Sequence, residues 1–305
     1  MANELSDLIP DLNAALQVVS RELVGIIPAV TTNMTADSVS EGQVLRVPLT
    51  PATENLDITI GTEPTVEGDK FGNIPMEITK FRIAKPIVWN GEEENAVSQI
   101  IDGLLLNQFT QRMRGLVNEI EEDLFNQAII GAKGGNYGVP GTPPFTSGGM
   151  RDFAQLVKLM NDNGAPQTER QMVLNTTAAA ELRNRDNLFR VNEGGESGLL
   201  RQGVLGRLYG FDIRESGGAR PVKIGDVEAL PSAVFTRDAI LLATRTPYMP
   251  SRGDKAMDVT IVTDPVSGLS FQVAYYPGYR NNRIEIGIAW GFATVNPQHS
   301  FVLYG

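Results

Sequence analysis

A chain of 305 residues with 26 basic and 36 acidic side chains, a net charge of −10, one histidine and no cysteine has no disulfide framework, thiol nucleophile, iron–sulfur cluster or thiolate zinc site open to it. Hydrophobic residues at 42% and charged residues at 20% are enough to bury a core, while a pI near 4.8 argues against a free nucleic-acid binder, which needs a clustered basic surface. The lone His299 excludes a multi-histidine metal site and reads as a surface or packing residue.

No stretch approaches the ~20 apolar residues of a membrane span, and residues 1–10 lack the basic start and apolar run of a secretory signal; a soluble, reducing compartment is the expectation. Leu12, Ala15, Leu16, Val19, Leu23 and Ile27 recur at steps of three and four, with Pro10 suited to a first turn and Gly25 and Pro28 as terminators, which predicts a short amphipathic helix. Residues 31–42 turn polar and extended. From 41 to 90 the apolar residues lose any helical period. Val44, Leu45 and Val47, then Ile58 and Ile60, then Ile74, Met76, Ile78, Phe81 and Ile83 mark short strands. Residues 61–72 form a hairpin tip with little to bury, and because a two-stranded ribbon is marginal alone in water, this region reads as a projecting β-arm that docks on another subunit.

Residues 91–131 carry the strongest pattern. Val97, Ile100, Ile101, Leu104, Leu105, Phe109, Met113, Leu116, Val117, Ile120, Leu124 and Ala128 keep a helical stripe without a proline, and Glu92, Glu93 and Glu94 suit its positive N-terminal end. A helix of ~36 residues spans about 54 Å, as long as a compact body of this size would be wide, about 50 Å. Gly103 and Gly115 are the places where it would break. A Gly- and Pro-rich loop over 131–149 follows and is the natural boundary; Lys133 precedes its glycine pair, so it lacks the order of a phosphate-binding loop. Beyond it, Phe153, Leu156, Val157 and Met160 predict a helix ending at Asn163 and Gly164. Met172 to Asn175 predict a buried strand, and Thr176 or Thr177 a cap for the helix carrying Ala178 to Leu182. Residues 204–214 and 232–235 predict further strands. Over 257–295, Val259, Ile261, Phe271, Val273, Ile284, Ile286 and Ile288 alternate as one face of an antiparallel sheet beside the long helix.

The densest carboxylates, Glu92 to Glu94 and Glu119, Glu121, Glu122 and Asp123, allow an acid hydrolase with paired carboxylates in principle. Neighbours one or two apart on a helix do not face each other, so the second group reads as a solvated face or a subunit contact. Arg183, Arg185, Arg190, Arg201, Arg207 and Arg214 are the main basic concentration, suited either to a basic edge meeting an acidic edge of the next copy or to scattered surface charge. The late aromatics, from Tyr275 to Tyr304, lack interleaved lysines and read as core and contact residues.

Several stretches carry a resemblance: Leu8-Ile-Pro-Asp-Leu with Val19-Ser-Arg-Glu-Leu-Val-Gly, Trp89-Asn-Gly-Glu-Glu, Leu116-Val-Asn-Glu-Ile-Glu, Asp162-Asn-Gly-Ala-Pro, Val173-Leu-Asn-Thr and Leu188-Phe-Arg-Val-Asn-Glu. Leu200-Arg-Gln-Gly-Val-Leu-Gly-Arg-Leu-Tyr-Gly-Phe, Arg214-Glu-Ser and Asp264-Pro-Val-Ser-Gly-Leu complete the set. Together and in order, they make the chain resemble the major capsid (coat) proteins of tailed bacteriophages, of the α+β Hong Kong 97-type capsid fold and, within it, the P-twenty-two-type coat protein branch. The resemblance implies an N-terminal arm (1–41), an extended β-hairpin loop (42–90), a peripheral domain with the spine helix and long sheet (91–149 and 251–305), and an axial domain of mixed α/β structure (150–250). Where many relatives of that branch carry an inserted β-domain, only 217–230 stand here. It implies no catalysis and no cofactor, self-assembly as hexamers and pentamers into an icosahedral virion capsid around double-stranded DNA, and assembly in the host cytoplasm. The partners implied are a separate scaffolding protein, a portal protein and a decoration protein. The expected inter-subunit contacts are Glu67, Asp69, Lys70 and Phe71 at the arm tip, Arg82 and Lys85 along it, and Glu92, Glu93 and Glu94 at the start of the spine. A bacterial nanocompartment shell around an enzyme keeps the fold and changes the job, and it needs a cargo-peptide groove on the inner face.

Overall fold

The computed structural model describes residues 23–39, 42–49, 72–90, 101–146, 150–184, 206–249, 256, 258–264 and 267–305. Most of the helix expected over 12–27 lies outside them. The described chain begins as a strap over residues 23–30, with a 3-10 turn at Ile27–Ala29 that carries Pro28 in its first turn. The polar stretch that follows is a strand, β1 (Thr31–Val39), lying parallel to β13 (Ile240–Pro247).

Two sheets organise the rest. The first is seven-stranded in the order β1-β13-β16-β15-β14, where β14 is Asp258–Thr263, β15 Ser270–Pro277 and β16 Asn281–Thr294; β4 (Lys80–Ile83) and β5 (Ile87–Asn90) also pair with β16. The second is six-stranded in the order β6-β17-β12-β7-β9-β8, drawn from β6 (Gly135–Tyr137), β7 (Arg170–Leu174), β8 (Arg207–Leu208), β9 (Phe211–Glu215), β12 (Pro231–Thr236) and β17 (Ser300–Tyr304). The loop expected over 131–149 therefore contains a strand. Its glycines are packing devices: a Cβ on Gly134 would lie 2.4 Å from the Gln298 carbonyl oxygen, and one on Gly138 2.3 Å from that of Tyr304.

The long helix is α1 (Ile101–Ile130), continuous through Gly103 and Gly115 and about 45 Å long at 1.5 Å per residue. The expected first turns, 91–100, lie outside the described residues. Its buried stripe, Phe109, Met113, Val117, Ile120, Leu124 and Ala128, packs with Phe271, Val273, Ile286, Ile288 and Trp290 of the first sheet and with Ile26, Ile27, Ala29 and Val30 of the strap. A second core gathers Phe153, Leu156 and Met160 of α2 (Met150–Asp162) with Ala178, Ala179 and Leu182 of α3 (Thr176–Arg183). β7 and β12 are buried at every position because alternate residues serve different cores: Val173, Ala233 and Phe235 join the first, and Met172, Leu174 and Val234 the second. That double burial explains why Met172 to Leu174 and Ala233 to Phe235 are unbroken apolar runs within the two strands.

Two expectations are corrected. The cap of α3 is Asn175, whose side chain accepts from the Ala178 N–H, and neither threonine fills that place. On β14, Val259 and Ile261 are 41% and 43% exposed, whereas Val262 is buried against the core. The turn after β14 fixes this register. Asp264 N–H donates to the Leu269 carbonyl and Gly268 N–H to that of Asp264, which sets Val262 opposite Phe271 and leaves Ile261 opposite Gln272 on the outer face.

Candidate functional site

The base of the β-arm is the first place where sequence dictates an unusual arrangement. Along β16, large and small residues alternate: Ile286, Ile288, Trp290 and Phe292 face α1, while Gly287, Ala289, Gly291 and Ala293 face away from it. The small face accepts a second layer of backbone. β2 (Val44–Leu49) and β3 (Gly72–Glu77) form an antiparallel ribbon that rests there, with Met76 against Ala243 and Ala293, and Ile78 against Ala289 and Phe81. A Cβ on Gly291 would lie 2.3 Å from the Glu77 carbonyl oxygen and 2.9 Å from the Ile78 Cα, so only glycine permits this crossing. The tip expected to bury little, residues 61–72, lies outside the described residues apart from Gly72. The base of the arm buries Met76 and Ile78, 1% and 0% exposed, on the chain's own sheet.

Of the expected contact residues, Glu67, Asp69, Lys70 and Phe71 at the arm tip and Glu92, Glu93 and Glu94 before α1 lie outside the described residues. Arg82 and Lys85 are brought together on the flank of α1. Arg82 Nε donates to Glu119 Oε1 at 2.8 Å, and the Lys85 carbonyl accepts from Arg112 Nε at 2.8 Å. Both Arg82 and Lys85 are exposed.

The carboxylates of α1, expected to form a solvated face or a subunit contact, each take different partners within the chain. Glu119 pairs with Arg82 as above. Glu122 pairs with Arg220, whose hydrogen bond holds its carboxyl below the usual range. Asp123 accepts from Lys80 Nζ at 2.8 Å and from the buried Trp290 Nε1 at 3.2 Å. Glu121, 3% exposed, corrects the expectation most sharply. Its Oε1 accepts the Gly25 and Ile26 N–H groups at 2.6 and 2.8 Å and the Ser216 hydroxyl at 2.6 Å, and its Oε2 accepts the Ile27 N–H at 3.2 Å. Burial pushes this carboxyl up and the four donors pull it back, leaving it above the ordinary value. The signal in the sequence was positional: Glu121 stands four residues after Val117 and four before Phe125, inside the apolar stripe.

The arginine series divides in the same way. Arg183 pairs with Glu215, and Arg207 lies 3.8 Å from Asp212, whereas Arg185, Arg190 and Arg201 lie outside the described residues. His299 is half-buried in the 3-10 turn Pro297–His299 that leads into β17. Among the described residues, no group of three or more His, Asp or Glu side chains is placed to hold a metal ion. What the arrangement offers is a braced surface. The first sheet carries the exposed aliphatics Ile83, Val88, Val259 and Ile261, and Tyr279 stands 92% exposed on the β15–β16 turn.

No family model matches the chain, and no curated protein matches it by sequence. Solved structures do. A chain described as Mycobacterium phage Che8 is 15% identical, covers 94% of this chain and 90% of its own length, and superposes with a TM-score of 0.56. The mature capsid of bacteriophage PhiM1 is 12% identical over 90% and 85% of the two chains, with a TM-score of 0.57. The virus-like particle from Pyrococcus furiosus is 13% identical over 97% and 99%, with a TM-score of 0.53. At such identities the likeness is one of architecture, and it extends over nearly the whole of each chain. The α+β fold described above is thus the phage capsid fold that the sequence resembles.

Proposed function

We propose that this chain is the major capsid subunit of a tailed bacteriophage, a structural protein without catalysis that self-assembles into an icosahedral shell enclosing double-stranded DNA. The observation that carries this reading is the end-to-end likeness to the PhiM1 mature capsid, with 90% of this chain and 85% of that one superposed. The physics of the surface supports it. Shells are tiled by modest contacts repeated many times, and this chain combines exposed aliphatics on a braced sheet with an arm rooted on that sheet. Net acidity, −10 overall, suits an inner wall past which packaged DNA slides.

Within this reading, residues 91–149 and 251–305, with α1 and the strands β14, β15 and β16 of the first sheet, are the peripheral domain, and residues 150–250, with α2, α3 and the strands β7, β8, β9 and β12 of the second, are the axial domain. β13 pairs out of the axial range into the first sheet, and β6 and β17 pair out of the peripheral range into the second. Residues 42–90 are the extended loop and 1–41 the N-terminal arm. Glu67, Asp69, Lys70, Phe71, Arg82, Lys85, Glu92, Glu93 and Glu94 are inter-subunit contacts. A separate scaffolding protein, a portal protein and a decoration protein are the partners, and assembly takes place in the host cytoplasm.

Expressed alone and together with a scaffolding protein, the chain should sediment as capsomers or shells, and negative-stain images should show closed particles. A solitary small species under every such condition refutes the proposal. A second reading, a shell enclosing protein instead of a genome, is favoured by the Pyrococcus furiosus virus-like particle, which matches over 97% of this chain and 99% of its own. The contents of purified particles, nucleic acid or protein, separate the two.

A further inference from the structure

Glu121 sits where three parts of the molecule meet: α1, the strap at 23–30, and the segment leaving β9 of the second sheet. Its Oε1 alone is shared between two of them, taking Gly25 N–H and Ile26 N–H from the strap and the Ser216 hydroxyl from the segment after β9. Ser216 is itself tied to the second sheet, because its N–H donates to the Leu174 carbonyl at the end of β7, and its hydroxyl oxygen accepts from the Gly218 N–H at 3.1 Å. Gly217 N–H closes the ring by donating to the Leu23 carbonyl. The backbones pass so near one another that a Cβ on Gly25 would lie 2.4 Å from the Glu215 carbonyl oxygen, and one on Gly218 3.0 Å from that of Glu121.

All four groups donating to Glu121 are neutral. A buried anion held this way is a poor device for raising stability, since an apolar side chain of similar volume would serve the core as well. What it supplies is convergence: four donors from two segments reach one carboxylate only when strap, second sheet and helix hold one mutual arrangement. We propose that Glu121 is a positioning residue, a polar joint that couples the strap to the second sheet through α1, so that neither shifts against the helix without the other. The apolar anchors Ile26, Ile27, Ala29 and Val30, each 0% exposed, keep the strap bound when the joint is lost, so its removal uncouples the parts without unfolding either core. The joint is a property of the folded chain and stands or falls apart from the shell reading.

Amide hydrogen exchange on the full-length chain tests this, because it resolves local opening from global opening. Glu121→Gln keeps the size but turns an amide donor toward backbone donors. Exchange at Gly25, Ile26, Ile27, Gly217 and Gly218 should quicken by about tenfold or more, the scale of one lost hydrogen bond to a charged acceptor, while Met172 to Leu174 of β7 keep their rates. Ser216→Ala is the decisive second variant, since the Ser216 hydroxyl bonds to Glu121 and the Gly218 N–H and the substitution keeps the Cβ that packs beside Gly25. If Glu121 couples the two segments, exchange at 25–27 rises in this variant too, and the double variant exchanges there no faster than Glu121→Gln alone. Unchanged strap rates in Ser216→Ala, additive effects in the double variant, or a uniform rise across both sheets would each overturn the proposal.

Discussion

Gly291→Ala adds one methyl group at the point where β3 crosses β16, and its cost can be worked from the contacts it would make. The new Cβ would sit 2.3 Å from the Glu77 carbonyl oxygen, 2.9 Å from Ile78 Cα and 3.0 Å from the Glu77 carbonyl carbon. All three are backbone atoms, so no side chain can swing aside and the base of the ribbon must lift by roughly an ångström or more, the usual response to overpacking. Lifting opens the seats of Met76 and Ile78, now 1% and 0% exposed. Full burial of such side chains contributes about 1.5–3 kcal/mol each, so withdrawing part of both costs about 2–3 kcal/mol. It also strains the bonds of Gly42 N–H to the Ile78 carbonyl and of Ile78 N–H to that of Gln43. Gly287→Ala is the matched control. Its Cβ would meet Pro247 Cγ at 3.3 Å and nothing nearer, and it should change stability by less than about 1 kcal/mol. Urea unfolding of the two variants and the parent, with amide exchange over residues 72–78, provides the measurement. Equal unfolding midpoints for the two variants would mean that the ribbon is not seated on β16 and would refute the reasoning.

Three further outcomes follow from local geometry. Asn175→Ala removes the cap of α3 together with the bond from Asn175 Nδ2 to the Leu230 carbonyl at 2.8 Å, and should cost about 2 kcal/mol in the same unfolding assay. Gly115→Ala should stabilise the chain by about 1 kcal/mol, because Gly115 is exposed within α1 and a Cβ there meets nothing within 4 Å. Tyr137 donates to Asp152 Oδ1 at 2.7 Å, and burial, then that bond and the Asp152 charge, push its phenol up to about 12. An unfolded tyrosine ionises near pH 10, so between about pH 10 and 12 the unfolded chain has released a proton that the folded chain retains. The corresponding stability is complete below pH 10 and falls by up to about 2 kcal/mol as pH rises to 12; Tyr137→Phe should flatten that part of the unfolding midpoint against pH.

The elements legible in the sequence were those whose burial is one-sided and local. α1 announces itself through a stripe repeated over many turns, and β15 and β16 through alternation against one partner face. The small residues of β16, Gly287, Ala289, Gly291 and Ala293, were equally visible, but their meaning depends on β3 arriving from two hundred residues earlier. β1 shows in the sequence only as an extended, polar stretch because it is a strand made by parallel pairing with β13, a long-range contact that leaves no local period. β14 misled because Val259, Ile261 and Val262 permit two registers, and the Asp264 turn decides between them. Asn175 reads in the sequence as the end of the strand before α3, which leaves the cap to its threonine neighbours; Asn and Thr can both fill it, and the structure gives the place to the one whose amide also reaches Leu230. Glu121 is masked by its charge, which suits a solvated face, although its place on the helix between Val117 and Phe125 puts it among the core residues.

Arg82 separates the internal roles of these residues from their roles between copies. Its bond to Glu119 joins side chains that are 54% and 37% exposed, and a solvent-exposed pair of this kind contributes about 0.2–1 kcal/mol. A double-mutant cycle of Arg82→Ala and Glu119→Ala on the unassembled chain should therefore return a coupling below about 1 kcal/mol. If the guanidinium works only inside the chain, the two single variants remove the same interaction and should lower the yield of shells equally. A guanidinium that also reaches a neighbouring copy makes Arg82→Ala the more damaging of the two, with the excess growing as salt is reduced, because contacts between charges on separate surfaces weaken with ionic strength. Shell yield measured by sedimentation across a salt series reads this directly. Matching losses at every salt concentration would remove Arg82 from the set of inter-subunit contacts and leave it as a brace between β4 and α1.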